Sequence, residues 1–207
     1  MKLLSYIVVF FTFLVQPVAA DDTYRIRVQP FQCKNHAGNT STGSMVDFPD
    51  FTLTAHHVLR VCADQEVLRD WVHFPDFDLS IKVKVEDIAN ARLPFLCDIP
   101  EPGTPLLFVG YPPGFIQEFI GGFNYEESKG VQLSEDPVSI HITEDDISVF
   151  GTVGALGPKV RGGYSGGAVI NKSNNTFAGI ILAVNKDAGL AFYSPNQTIC
   201  TAMMTLL

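Results

Sequence analysis

The sequence predicts an all-β protein, because short segments with strand character are separated by turns and helical periodicity is scarce. Apolar and polar residues alternate with a period of two through residues 24–28 and 81–85, as expected for half-buried strands. The best helix candidate, residues 197–207 at the C-terminus, is short. Many strands with few helices favour a sandwich or β-barrels.

Further strands are expected where apolar or β-branched residues lie between turn-forming residues. Residues 168–170 and 177–181 form a predicted hairpin, since the polar segment 171–176 between them is rich in asparagine. The remaining predicted strands are residues 51–54, 106–109, 139–142 and 189–193.

Residues 1–20 have the features of a signal peptide. Lys2 supplies a positive charge, an apolar stretch follows, and Ala19 and Ala20 provide the small residues of a cleavage site before Asp21. We expect cleavage after Ala20 and no contact of the exported chain with a membrane. An uncleaved membrane anchor is the alternative, because the apolar stretch is marginally long enough to span a bilayer.

The exported part is predicted to consist of two lobes and a C-terminal tail. Residues 94–103 contain three prolines and a glycine, which disfavours a regular strand or helix there. This segment is therefore predicted to be a linker between a first lobe, residues 21–93, and a second lobe, residues 104–196. Residues 197–207 form the predicted C-terminal helix or tail.

The charge balance argues against nucleic acid as a partner. The chain carries 14 Lys and Arg against 22 Asp and Glu, a formal net charge of −8, whereas nucleic-acid binding requires a basic face.

The acidic runs at 126–127 and 144–146 lack the spacing of a calcium loop, and His36 and His73 have no metal-ligand spacing around them. We therefore expect no metal site.

The four cysteines, at positions 33, 62, 97 and 200, all lie outside the predicted signal peptide. An even number of cysteines in an exported chain indicates two disulfides and an oxidising compartment. Three pairings are possible. The expected location is extracellular, or periplasmic if the source is bacterial.

One serine lies in a setting suited to nucleophilic catalysis. Glycines flank Ser165 in the segment 163–167, Gly-Tyr-Ser-Gly-Gly, so the N–H groups of Gly163 and Ser165 can point at a bound carbonyl. A serine hydroxyl needs a base, and His57 follows an apolar predicted strand. A carboxylate must hold the imidazole in one tautomer, and Asp78 precedes another predicted strand.

Each of these assignments has an alternative when it is considered by itself. His56 competes with His57 as the base, and Asp76 competes with Asp78 as the carboxylate. The glycine-rich segment around Ser165 could be no more than a tight turn.

The order His, Asp, Ser and the surrounding segments resemble the trypsin-like serine protease family. Residues 53–59, Leu-Thr-Ala-His-His-Val-Leu, resemble the family's Leu-Thr-Ala-Ala-His block, which makes the second histidine, His57, the base. Residues 78–81, Asp-Leu-Ser-Ile, resemble its Asp-Ile-Ala-Leu block and favour Asp78. Residues 163–168, Gly-Tyr-Ser-Gly-Gly-Ala, resemble its Gly-Asp-Ser-Gly-Gly-Pro block.

The resemblance implies two six-stranded antiparallel β-barrels and hydrolysis of peptide bonds through an acyl-enzyme. Ser165 would attack the substrate carbonyl and His57 would carry the proton. Asp78 would orient the imidazole, while the N–H groups of Gly163 and Ser165 would hold the oxyanion. We expect protein or peptide substrates, no cofactor, and a monomer.

The resemblance also implies a disulfide pairing. A bond from Cys33 to Cys62 would bracket the base, as a family disulfide does. A bond from Cys97 to Cys200 would tie the linker to the C-terminus.

Two departures from the family pattern affect the site. Tyr164 stands where many members have an aspartate that captures a new N-terminus after activation, and no Ile-Val-Gly-Gly segment is present. This implies an oxyanion turn that forms without such a cleavage. Leu182 and Ala183 occupy the region where the family usually offers a serine to the buried carboxylate, so Asp78 must accept hydrogen bonds from other groups.

The substrate pocket is assigned by the resemblance alone. Lys159 would lie near its floor, with Val184 and Gly189 near its walls, and such a lysine would disfavour cleavage after Arg or Lys. Alternatively, shortened loops shift this alignment and Lys159 faces solvent.

Two other functions are compatible with parts of the pattern. One is a catalytically silent protease homologue that binds a protein partner, and the other is an unrelated secreted β-sandwich adhesin. The presence of all three candidate triad residues favours the enzyme.

Overall fold

The computed structural model describes residues 26–85, 93–113, 123–142, 147–156 and 160–206. The predicted signal peptide, residues 1–20, lies outside these ranges. The strands are β1 (Arg27–Lys34), β2 (Thr40–Asp47), β3 (Phe51–Ala55), β4 (Trp71–Phe74), β5 (Leu79–Val83), β6 (Pro105–Gly110), β7 (Glu126–Ile142), β8 (Ile147–Leu156), β9 (Ala168–Asn171), β10 (Thr176–Asn185) and β11 (Leu190–Pro195). The helices are α1 (His56–Arg60), α2 (Gln65–Leu68) and α3 (Asn196–Met204).

The strands form two antiparallel units that follow one another along the chain. Strands β1 to β5 form a sheet in the order β1-β2-β3-β5-β4, and β6 to β11 close into a barrel in the order β10-β11-β8-β7-β6-β9. The prediction of an all-β fold with two lobes and a short C-terminal helix is confirmed. The second lobe has the expected six strands, whereas the first has five within the described residues.

Several observed strands were not predicted from the sequence pattern, and one of them, β2, has few apolar residues. Strand β2 contains four threonine or serine side chains in its first five residues, yet it pairs with β1 on one side and β3 on the other. Strands β4 and β8 were also not predicted, and β7 is much longer than the predicted residues 139–142. In β2, backbone pairing with neighbouring strands therefore outweighs the side-chain pattern.

An aromatic cluster packs the two lobes and the linker together. Phe48 precedes β3, Phe95 lies in the linker and Phe177 belongs to β10, and each ring centroid lies 5.0–5.5 Å from the other two. All three rings are buried. The core therefore runs across the boundary between the lobes.

Two disulfides close long loops of the chain. Cys33 is bonded to Cys62 and Cys97 to Cys200, with sequence separations of 29 and 103 residues. These are the pairs that the resemblance implies. Within the described ranges, no helix has the length and hydrophobicity needed to cross a membrane.

Candidate active site

The first lobe brings the candidate base and the candidate carboxylate together through the pairing of β3 with β5. Ala55, the last residue of β3, lies opposite Leu79, the first residue of β5. His57 lies two residues after Ala55 in the first turn of α1, and Asp78 lies one residue before Leu79. The antiparallel register therefore sets the two side chains beside each other.

The carboxylate of Asp78 holds His57 at two points. Its Oδ2 lies 2.6 Å from Nδ1 of His57, and its Oδ1 accepts the backbone N–H of the same residue at 2.7 Å. The Asp78 side chain is 4% exposed and that of His57 is 17% exposed. Both carboxylate oxygens of Asp78 therefore have a hydrogen-bond partner in His57.

Asp78 is held in an unusual backbone conformation. It follows a 3₁₀ turn, Pro75–Phe77, and adopts left-handed angles of φ 45° and ψ 43°, which aspartate tolerates better than most residues. Its N–H donates to the carbonyl of Pro75 at 3.0 Å, and its carbonyl accepts the N–H of His56 at 2.9 Å. Asp76, the competing carboxylate, belongs to the same turn but is exposed.

The candidate nucleophile lies in a tight turn of the second lobe that rests on the first lobe. The carbonyl of Ser165 accepts the N–H of Ser44 in β2 at 2.8 Å. The next residue, Gly166, has φ +81°, and a Cβ atom there would overlap the carbonyl oxygen of Ser44 and the hydroxyl of Thr54. Glycine is required at this position, because the turn approaches β2 and β3 too closely for any side chain.

The hydroxyl of Ser165 bonds to the backbone of β10. Oγ donates to the carbonyl of Leu182 at 3.1 Å, at the point where the pairing of β10 with β11 is shifted by a bulge. Among the described residues, no hydrogen bond joins Ser165 to His57. Catalytic hydrogen bonds are often absent before substrate binds, so this geometry does not exclude the pair.

The two candidate oxyanion donors have no partner in the described part of the protein. The N–H groups of Gly163 and Ser165 donate to no acceptor there, although the neighbouring N–H groups of Tyr164, Gly166 and Gly167 all donate to carbonyls. Two unused N–H groups two residues apart are what binding of an oxyanion requires.

Tyr164 occupies a buried position behind the turn. Its ring packs against Gly110 so closely that a Cβ atom there would lie 2.9 Å from Cδ1 of the tyrosine. Its hydroxyl lies 3.4 Å from Oε2 of Glu126, whose other oxygen pairs with Arg161 at 2.5 Å. Burial raises the pKa of the Tyr164 phenol, and the nearby Glu126 carboxylate raises it further. The tyrosine therefore anchors the turn as a neutral side chain.

A pair of histidines, His56 and His73, lies beside the candidate triad. Nδ1 of His56 lies 3.3 Å from Nδ1 of His73, and the hydroxyl of Ser80 lies within 2.8 Å of His73 and 3.3 Å of His56. Burial lowers the pKa of both imidazoles, and their mutual repulsion lowers that of His56 further. The sequence did not link His73 to the site, because only the pairing of β4 with β5 brings it there.

The predicted pocket residues are placed by the structure only in part. Val184 lies in β10 two residues after Leu182, and Gly189 lies in the turn that joins β10 to β11. Lys159 lies outside the described residues. Two contributors to the site were missed by sequence reasoning: the carbonyl of Leu182 and the side chain of Ser44, which contacts the turn from β2.

No protein-family model and no curated protein matches the sequence. Solved structures do resemble it. The active form of the Rv3671c protease from M. tuberculosis has a TM-score of 0.62 and 16% identity, covering 86% of this chain and 79% of that chain. The MamO protease domain from Magnetospirillum magneticum has a TM-score of 0.53 and 13% identity, and the match covers 77% of this chain and 87% of that chain.

A third similar structure is the HtrA-type protease AlgW with a tripeptide. Its TM-score is 0.55 at 17% identity, and the match covers 86% of this chain but 59% of that chain. At identities this low the likeness concerns the fold. The chain has the fold of the trypsin-like serine proteases.

Proposed function

We propose that this chain is a secreted serine endopeptidase in which Ser165, His57 and Asp78 form the catalytic triad. The observation that carries the proposal is the 2.6 Å hydrogen bond between His57 and the buried carboxylate of Asp78. This carboxylate leaves Nε2 as the nitrogen that can accept a proton, because Nδ1–H donates to Asp78. The fold and the glycine-flanked Ser165 on the adjoining turn support the same reading.

The proposed reaction follows from these positions. The Ser165 hydroxyl rotates from the Leu182 carbonyl, transfers its proton to Nε2 of His57 and attacks the substrate carbonyl. The N–H groups of Gly163 and Ser165 bind the negative oxygen that develops. His57 then gives the proton to the departing amine, and water releases the acyl group from Ser165 by the same steps.

Secretion and the division into lobes belong to the same proposal. The disulfides support passage into an oxidising compartment, in agreement with cleavage of residues 1–20 as a signal peptide. The lobes 21–93 and 104–196 would be the two structural halves, with the site at their junction. Val184 and Gly189 would line the substrate pocket, and Lys159 would lie near its floor.

One observation favours a second candidate, a catalytically silent homologue that binds a protein partner. The Ser165 hydroxyl bonds to Leu182 and not to His57. In a silent homologue that hydrogen bond would persist, whereas in the enzyme it would exchange for one to His57.

A fluorophosphonate probe, which reacts only with an activated serine, separates the two candidates. We expect covalent labelling and cleavage of a peptide library by the wild-type protein, and loss of both in Ser165→Ala. Ser173→Ala, in the exposed turn between β9 and β10, is the matched control and should behave as wild type. A folded wild-type protein that is neither labelled nor active would reject the endopeptidase.

A further inference from the structure

Ser44 forms hydrogen bonds with four groups from both lobes. Its hydroxyl donates to the carbonyl of Gly163 at 2.8 Å and accepts the N–H of Tyr111 at 2.8 Å. Its N–H donates to the carbonyl of Ser165 at 2.8 Å, and its own carbonyl accepts the Thr54 hydroxyl at 2.8 Å. The residue is fully buried, so water does not compete for these bonds.

Two of these bonds bracket the nucleophile turn. The carbonyls of Gly163 and Ser165 are both held by Ser44, one by its side chain and one by its backbone. The Ser165 N–H lies between these two carbonyls along the chain, and the Gly163 N–H immediately precedes them. Both proposed oxyanion donors therefore belong to residues whose carbonyls Ser44 holds.

Gly163 is the residue of this turn that most needs such a restraint. Its φ of +95° is accessible to glycine, and glycine also populates the opposite sign of φ at little cost. If the Gly163 carbonyl lost its donor, rotation of the adjacent peptides could turn the N–H away from the oxyanion. A single hydroxyl from β2 opposes that rotation.

The same hydroxyl links the turn to a second segment of the barrel. Tyr111 follows β6, and the next residue, Pro112, packs on Gly163, where a Cβ atom would lie 2.7 Å from its Cα. On the first-lobe side, Thr54 lies in β3 three residues before His57. Ser44 thus connects the strand that leads to the base with the turn that carries the nucleophile.

We propose that Ser44 is a positioning residue, which holds the oxyanion donors and Ser165 in register with His57 across the two lobes. The inference rests on the proposed endopeptidase activity. Ser44→Ala keeps the backbone bond to Ser165 but leaves the Gly163 carbonyl and the Tyr111 N–H without their partner. The loss should appear in kcat, because the oxyanion exists only after attack.

The test compares steady-state kinetics of Ser44→Ala with those of Ser194→Ala. Ser194 is the matched control, since it is also fully buried but its hydroxyl has no partner within the described residues. Loss of one oxyanion donor costs about 10²–10³ in kcat, so we expect a fall of about 10–100-fold for Ser44→Ala, with KM changed less than about threefold. Ser194→Ala should retain the wild-type kcat.

Amide hydrogen exchange supplies a readout that does not depend on activity. Ser44→Ala should accelerate exchange at Tyr111 and in residues 160–167, and Ser194→Ala should not. If the alanine variant does not fold, Ser44→Cys replaces it, and its weaker hydrogen bonds should reduce kcat several-fold. If the wild type is active and the Ser44 variants keep its kcat, the positioning role of Ser44 is wrong and the endopeptidase proposal stands. An inert wild type rejects the endopeptidase, and unchanged exchange then rejects the restraint by Ser44 as well.

Discussion

Replacing Asp78 by asparagine should abolish most of the activity without altering the fold. The backbone N–H of His57 can only donate, so the asparagine carbonyl oxygen must take the position of Oδ1, where that N–H now bonds at 2.7 Å. The amide NH₂ group then faces Nδ1, which must become an acceptor. His57 would therefore carry its proton on Nε2 and could no longer accept one from Ser165.

The size of the effect follows from this change of tautomer. A triad histidine in the wrong tautomer loses about 10⁴ in kcat, which corresponds to about 5 kcal/mol of transition-state stabilisation. The assay is kcat on the best peptide substrate from the library, together with the rate of labelling by the fluorophosphonate. Both should fall in parallel, because both require the deprotonated serine.

Asp76→Asn is the matched control for this prediction. It makes the same chemical change two residues earlier, in an exposed side chain of the same 3₁₀ turn. Its kcat should stay within about twofold of wild type, since surface charges interact weakly with the site. The reasoning is wrong if Asp78→Asn, shown to be folded by circular dichroism, keeps more than a tenth of the wild-type kcat.

Three further changes test the local geometry, the disulfides and the pH dependence. Gly166→Ala should destabilise the protein by at least about 3 kcal/mol and abolish labelling by the fluorophosphonate. The control Gly38→Ala, at φ +79° with no atom near the added Cβ, should cost about 1 kcal/mol. Equal urea midpoints for the two variants would contradict this. Replacing both Cys97 and Cys200 by serine should lower the free energy of unfolding by about 1 kcal/mol more than removing the other disulfide, because its loop is longer. Burial lowers the pKa of His73, so the unfolded chain binds this proton more tightly and stability should decrease as the pH falls below 6.5. Urea unfolding at pH 7.5 and 5.5 should show a smaller decrease for His73→Gln, and an equal decrease would refute this.

Strands β6, β9, β10 and β11 of the second lobe could be predicted because they have apolar residues between clear turns. The hairpin of β9 and β10 is an example, since Asn171 to Thr176 offers polar turn residues between two buried strands. Strand β2 could not be predicted, because its small polar side chains resemble those of a loop. It forms a strand through the backbone hydrogen bonds that β1 and β3 offer on either side.

The candidate triad residues could be selected from the sequence because each lies in a short motif. Glycines around Ser165 and an apolar segment before His57 are local features. Their hydrogen bonds are not local, since Asp78 reaches His57 only through the register of β3 with β5. The two candidate carboxylates differ in burial, since Asp76 is exposed and Asp78 is buried.

By itself the sequence determined the β-rich class, and it supplied the residues that we propose for nucleophilic catalysis. These properties depend on neighbours within a few residues, so a linear pattern carries them. Only the tertiary structure decided which polar groups surround the site, such as Ser44 against Gly163 across 119 residues of chain. Hydrogen bonds between distant segments depend on how the lobes pack, and that arrangement results from the buried contacts of the whole chain.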